Sequence, residues 1–499
     1  MEAATTVLPA EPASEVPAEA ATVIPAVERY PSHTIAAPAR PAIIGLIIFA
    51  VSSTYLLLSG ARGPRPGMEL YALLARSFLQ GTTALPIEPR RELLALSDPY
   101  DPKENSQYRV LDASLYRGRY YLYFGPVPAV TLFLPYRLVT GRDLPNRIAV
   151  PIFCIAGYVS SCALFFLLAR RNRWTLPLWL RCAMVVCLGS MSLLSLLVRR
   201  PAFYQVAISA GYFCVMTGFL ALAKALVPGL ASPKWLVIAG LLLGLAVGCR
   251  PHLVIVCVIV LGSFAIRSRR NPRLVLAMAT GMAACALALG WYNYVRFDDP
   301  LEFGRTYQLT LFPSNPLTDY YGLELNPNGI LRSAKQFLLV IPRVDGRPPF
   351  FYTVFTNPLV GRTGKPIWGE DMVGLIPAAP WALLGLLAPF LLAGKRFAHA
   401  LDEPSHWLLL MMYWSAILIF CLLCLVGWVL GRYLPDFAGL LTFEGACLIA
   451  LFWQEISAQR IRRVLAGVTG LTAIYGAVLN AALATPPLDA VLGFFRRQM

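Results

Sequence analysis

The sequence predicts an all-α integral membrane protein, a polytopic bundle of about 11 transmembrane helices. Three observations carry that expectation. Hydrophobic residues make up 57% of the 499, charged residues only 14%, and the mean hydropathy is +0.60, values outside the range of a soluble globular chain. Apolar runs of roughly 20 residues, the length that crosses a hydrocarbon layer, recur along the chain. The basic residues gather in the short gaps between runs, which sets orientation in a membrane protein.

Residues 1–40 are rich in Ala, Pro, Glu and Thr and nearly free of aromatics, so a disordered cytoplasmic tail is expected there. The stretch lacks the basic start and early apolar core of a signal peptide. From 41 to 499 the chain reads as one transmembrane domain. Spans are expected at about 42–60, 147–169, 175–198, 202–226, 233–249, 251–267, 273–294, 372–394, 405–429, 433–453 and 462–484. Arg250-Pro251 divides two of them. The segment 126–140 is short, holds Pro126, Pro128, Pro135 and Arg137, and reads as a juxtamembrane helix inside the first long loop.

Charge tests this division. With the N-terminus inside, the inner short loops carry fourteen Lys and Arg, while the outer loops and tail carry six: Arg199, Arg200, Arg250, Arg432, Arg496 and Arg497. A full span at 126–140 would reverse every later loop and destroy that bias. Both long loops, 61–146 and 295–371, then share the outer face, periplasmic in a bacterium, so the expected location is a bacterial inner membrane. The net charge of +16 follows from this topology, and membrane lipids rather than nucleic acid are the expected partners. The 11 cysteines follow the apolar segments, and Cys421 and Cys424 read as helix packing.

Five stretches resemble the GT-C superfamily of membrane glycosyltransferases, the group holding protein O-mannosyltransferases and lipid A aminoarabinose transferases. They are Glu69 to Arg76 with Gly81; Tyr116 to Tyr121 with Gly125-Pro126-Val127-Pro128; Cys249-Arg250-Pro251; Tyr292 to Phe297 with Pro300 to Gly304; and Gly431 to Pro435. Their order covers nearly the whole chain after residue 41. Many relatives have adjacent acids after the first span, whereas this chain has Met68-Glu69. The resemblance implies a GT-C-like bundle with juxtamembrane helices in the first outer loop. It also implies transfer of a sugar from a polyprenyl-phosphate donor to a lipid, glycan or protein acceptor in the cell envelope.

Such chemistry needs a carboxylate to take the acceptor proton and cations to hold the departing phosphate. Glu69 is the first choice for the base, being at the membrane surface; its alternative is a helix-start carboxylate. Asp112 is the second, or else a turn or cap residue. Arg432, beside Tyr433, and Arg250, beside His252, suit a phosphate, or snorkel and cap helix ends. Arg296, Glu302 and Arg305, clustered with Asp298 and Asp299, line the acceptor side or simply begin a solvated loop. Glu370-Asp371 is either a surface anchor or a substrate contact. The rings at 116–124 and 350–355 stack on a sugar or form an interfacial belt. No resident cofactor and no metal-ligand set is expected, although Asp98 and Asp101 leave Mg²⁺ or Mn²⁺ open, with a turn as the simpler reading. The stretch from Gly361 to Pro366 lacks phosphate-loop spacing. Two other functions fit the same composition: a transporter or flippase of a lipid-linked precursor, and a non-catalytic envelope protein that kept the bundle.

Overall fold

The computed structural model describes residues 40–60, 68–227, 230–310, 327–360, 366–394, 397, 399–426 and 429–485. Residues 1–39, which hold almost all of the expected tail, lie outside them, as do 361–365 and both C-terminal arginines, Arg496 and Arg497.

Among the described residues, seven helices are long and apolar enough to cross a membrane. They are α1 (Arg40–Gly60), α4 (Asn146–Arg171), α6 (Phe203–Ala225), α9 (Pro272–Phe297), α11 (Glu403–Val426), α12 (Pro435–Glu455) and α13 (Gln459–Ala484). Three further expected spans are shorter helices: α5 (Leu178–Ser190), α7 (Pro233–Val247) and α8 (Val254–Arg267). The run at 372–394 is broken into Leu375–Ala378, Trp381–Leu386 and Ala388–Leu392, because Pro377, Pro380 and Pro389 supply no N–H to a continuous ladder. The chain is a multi-pass helical membrane protein.

Two of these helices form the centre. In α12 and α6, 89% and 83% of the most apolar stretch is buried, against 11% in α1, which lies at the rim. Glycines let α7 and α9 close on one another: a Cβ on Gly240 would strike the Met278 carbonyl, and one on Gly281 the Val237 carbonyl. The two ends of the bundle differ chemically. Arg171 pairs with Asp402 and Arg267 with Glu403 at one end, where α4 and α8 finish and α11 starts. Both long loops emerge at the other.

The first long loop contains α2 (Leu70–Leu79), whose Tyr71 ring packs 5.6 Å from Phe133. The expected juxtamembrane segment at 126–140 is helical. It starts as a π-helical turn, Ala129–Phe133, where the Leu134 N–H reaches back to the Ala129 carbonyl, and continues as α3 (Leu134–Thr140). Between α2 and this segment lies a hairpin of β1 (Ala113–Tyr116) and β2 (Arg119–Leu122), registered Ala113 to Leu122 and Tyr116 to Arg119. The second loop contains α10 (Pro327–Leu339), a small hairpin of β3 (Arg343–Val344) and β4 (Phe351–Tyr352), and a longer one of β5 (Val354–Val360) and β6 (Pro366–Met372).

One core residue contradicts its surroundings. Glu444, midway along α12, is fully buried, and neither carboxyl oxygen has a hydrogen-bond partner among the described residues. An unpartnered polar group in an apolar interior costs about 1–3 kcal/mol. Glu444→Met is therefore expected to raise the apparent Tm of the detergent-purified protein; a lower Tm would show that the carboxyl makes a stabilising contact.

Candidate active site

The site begins where the two long loops bond to each other. The backbone of 304–309 runs beside β1. The Asp112 N–H donates to the Leu309 carbonyl at 2.9 Å, the Leu309 N–H to Ala113 at 2.9 Å, and the Leu115 N–H to Tyr307 at 2.8 Å. The Ser114 hydroxyl closes the row on the Gly304 carbonyl at 2.6 Å, where Gly304 takes a left-handed φ of +90° that leaves no room for a Cβ. Arg296 fastens the end of α9 to the same hairpin. Its Nη1 donates to the Leu122 carbonyl at 2.7 Å, its Nη2 to Asn293 at 2.6 Å, and its guanidinium lies 4.0 Å from the Tyr292 ring centre. It is fully buried, so it braces the site from beneath.

Asp112 stands just before β1 with φ +61°, a left-handed conformation uncommon outside glycine but favoured by aspartate and asparagine among the other residues. The Tyr204 hydroxyl, from the first turn of α6, donates to its Oδ2, and the Gln308 amide donates to Oδ1 at 2.9 Å. Burial pushes the Asp112 carboxyl up to about 6, with Arg432, the Gln308 hydrogen bond and Arg109 pulling the other way.

Arg432 comes from the short 3₁₀ turn Gly431–Tyr433 that leads into α12. Its guanidinium lies 4.4 Å from the centre of the same Tyr204 ring, and its Nη1 donates to Glu370 of β6 at 3.2 Å. Arg250 enters from the turn between α7 and α8, 4.7 Å from the Tyr433 ring centre, with Nη1 2.8 Å from Asp436 Oδ2. His252 Nε2 is 3.4 Å from that same oxygen. Tyr123, just past β2, completes the ring: burial raises its hydroxyl, while Arg305 and Arg250 lower it. Arg199 and Arg200 reach Asp371 at 3.2 and 3.0 Å. Among the described residues, six arginines (109, 199, 200, 250, 305, 432) thus meet four carboxylates (112, 370, 371, 436), two more cations than anions.

An apolar groove of about 780 Å³ runs beside this ring. Phe78, Val127, Val130, Leu245, Leu289 and Trp291 line it, between α2, the 126–140 segment, α7 and α9. Gly248 and Tyr121, two residues from Arg250 and Tyr123 respectively, line its wall. Gly125 holds the groove's edge together, since a Cβ there would collide with the Gly248 carbonyl. The ring and the groove are thus neighbours along the chain, two residues apart both at the end of β2 and in the turn after α7.

The candidates from sequence fall into two sets. Asp112, Arg250, Arg305, Arg432 and Tyr433 meet in the ring. Glu69, Arg296 and Glu302 lie outside it and bond to neighbouring backbone. Glu69 Oε2 accepts the Asn146 N–H at 2.8 Å, capping α4 from another element. Burial raises its carboxyl, and the charges acting on it are Arg147 and Asp143 rather than the arginines of the ring. Glu302 closes its own turn, accepting from the Gly304 N–H at 2.5 Å and the Thr306 hydroxyl at 2.6 Å. Asp98 and Asp101 likewise cap turns, accepting from the Tyr100 and Lys103 N–H groups. Sequence reasoning passed over Tyr204, Gln308 and Asp436, and took Tyr123 only as one of the rings at 116–124. Tyr204 and Asp436 each open a span on the loop side, the one signal that marked Arg432.

Among the described residues no group of three or more His, Cys, Asp or Glu has the arrangement of a metal site. In the ring, Asp112 is engaged by Tyr204 and Gln308, and Glu370 by Arg432.

No protein-family model and no curated protein matches the chain. Among solved structures it is similar to ArnT from Cupriavidus metallidurans bound to undecaprenyl phosphate, with 14% sequence identity, 91% of this chain and 76% of that chain covered, and a TM-score of 0.44.

A carboxyl whose value is raised on folding adds stability below its unfolded value and loses it as pH climbs through the folded one. Ionised Asp112 therefore weakens the fold at neutral pH. Asp112→Asn keeps the shape and one acceptor oxygen for the Gln308 amide, its NH₂ can donate to the Tyr204 hydroxyl oxygen, and asparagine tolerates the left-handed backbone. It is expected to raise the apparent Tm at pH 7.5, with the gap closing as pH falls through 6 toward 4. A pH-independent gap would place the stabilisation elsewhere.

Proposed function

We propose that the chain is a glycosyltransferase that moves a sugar from a polyprenyl-phosphate donor to an envelope acceptor. In this reading the ring faces the periplasm, the membrane is a bacterial inner membrane and the N-terminus is cytoplasmic. The observation that carries it is Asp112, a desolvated carboxyl poised near 6, held within a ring of arginines at the head of an apolar groove. The motifs that resemble the GT-C superfamily supply three of the ring's residues, Arg250, Arg432 and Tyr433, and the stretch that opens the second loop ends one residue before Arg305.

The chemistry follows from the placement. The isoprenoid tail lies in the groove between the 126–140 segment, α7 and α9, and delivers its phosphate to Arg250, Arg305 and Arg432. The acceptor hydroxyl or amine attacks the anomeric carbon and passes its proton to Asp112. The bond from that carbon to the phosphate oxygen breaks, and the arginines take up the charge left on the phosphate. Arginine forks suit that role, and their strength rises in a partly desolvated site. Tyr204 and Gln308 hold Asp112 in place, and Asp436 holds Arg250. Asp112 fits the base better than Glu69, whose carboxylate is committed to the start of α4.

The assay is release of free polyprenyl phosphate from a polyprenyl-phosphate sugar by the purified protein. Loss of a single general base costs roughly 10²–10⁴-fold. Asp112→Asn is expected to show that loss, and wild-type kcat/KM to fall as pH drops below about 6. Glu69→Gln is expected to keep the wild-type pH profile. Full turnover by Asp112→Asn would sink the assignment, and movement of intact donor across a vesicle membrane without release would favour the transporter.

A further inference from the structure

Helix α10, in the second long loop, has two faces that call for different surroundings. Gly329, Ser333 and Phe337, four residues apart, face the bundle and are buried. Leu331, Lys335 and Leu339, also four apart, face away with Arg332, and both leucines are 53% exposed. A stripe alternating leucine and lysine is too apolar for open water and too charged for hydrocarbon. The depth of the helix explains it. The Phe337 ring lies 5.8 Å from Phe437, two residues into α12, and 6.3 Å from Phe420, six residues before the end of α11. At 1.5 Å per residue, Phe420 and Phe437 lie within about 9 Å of the ends of their helices, so the Phe337 turn of α10 packs near the loop-side ends of α11 and α12.

The chain continues in the same character. Ile341 and Val344 are 74% and 69% exposed, and Phe350 projects from the β3–β4 hairpin, which packs on α13. Across 327–352 there are four cations, Arg332, Lys335, Arg343 and Arg347, and one anion, Asp345, which is already bonded to Arg343 at 2.8 Å; the balance is +3.

We propose that α10 and the 341–350 segment form an interfacial lipid-docking surface that seats on the anionic phospholipid headgroups of the protein's own leaflet. The leucines and Phe350 enter the acyl boundary while the lysine and arginines extend to the phosphates, the division of labour of an amphipathic interfacial helix. The surface is also tied to the ring. The Gly374 N–H donates to the Val340 carbonyl at 2.7 Å, directly after the strand whose Glu370 holds Arg432. The proposal stands whether or not the ring is a transferase site.

The test places an environment-sensitive fluorophore on Leu331→Cys in a Cys421→Ser background, since Cys421 is an exposed native thiol. The protein is reconstituted in vesicles of phosphatidylglycerol or of phosphatidylcholine. The same label on Lys103→Cys, in an exposed turn of the first loop, is the aqueous reference. The expected result is quenching of the Leu331 label by headgroup-level nitroxide lipids in phosphatidylglycerol, several-fold weaker in phosphatidylcholine and after Arg332→Glu with Lys335→Glu. A label as open to aqueous iodide as the Lys103 reference would overturn the proposal. So would equal quenching in both lipids, which removes the anionic preference, or shielding from iodide without lipid quenching, which assigns the face to a second copy or another protein.

Discussion

The backbone pairing between 112–115 and 304–309 is the constraint on which the rest of the site depends. Two loops separated by some 190 residues share one short ladder, and that ladder sets the left-handed turn at Asp112. From that turn the carboxyl is aimed at Tyr204 and Gln308, and through the Tyr204 ring it is linked to Arg432. Arg296, buried beneath, keeps α9 and the hairpin from separating. The acid is thus positioned by elements from five parts of the chain.

Charge placement gives this geometry its chemical meaning. A carboxylate surrounded by arginines in water would titrate low; here burial outweighs them and the group is poised near 6. The arginines are in turn held by Glu370, Asp371 and Asp436, so they do not collapse onto Asp112. The positive excess that remains suits a phosphate, and the adjoining groove suits a hydrocarbon chain. A lipid phosphate has both parts.

Much of the bundle was legible because a span is written as a run of about 20 apolar residues. The expected 147–169 is Asn146–Arg171, and 202–226 is Phe203–Ala225. The juxtamembrane reading of 126–140 rested on prolines and a charge bias, and the segment is a short helix beside α2. The break-up of 372–394 was hidden because hydropathy is indifferent to where prolines interrupt a ladder. The site was only half legible. Arg250 and Arg432 are conspicuous as charges at the ends of apolar runs. The choice between Glu69 and Asp112 depends on contacts with Asn146, Tyr204 and Gln308, which lie 77, 92 and 196 residues away and leave no local pattern.

The most direct measurement of the central claim is binding of a polyprenyl monophosphate to the purified protein, followed by native mass spectrometry. The account predicts a bound lipid phosphate that persists in Asp112→Asn and is lost together in Arg250→Ala and Arg432→Ala, because the arginines hold the phosphate and the acid does not. Equal binding by both arginine variants would contradict it and separate the ring from the groove.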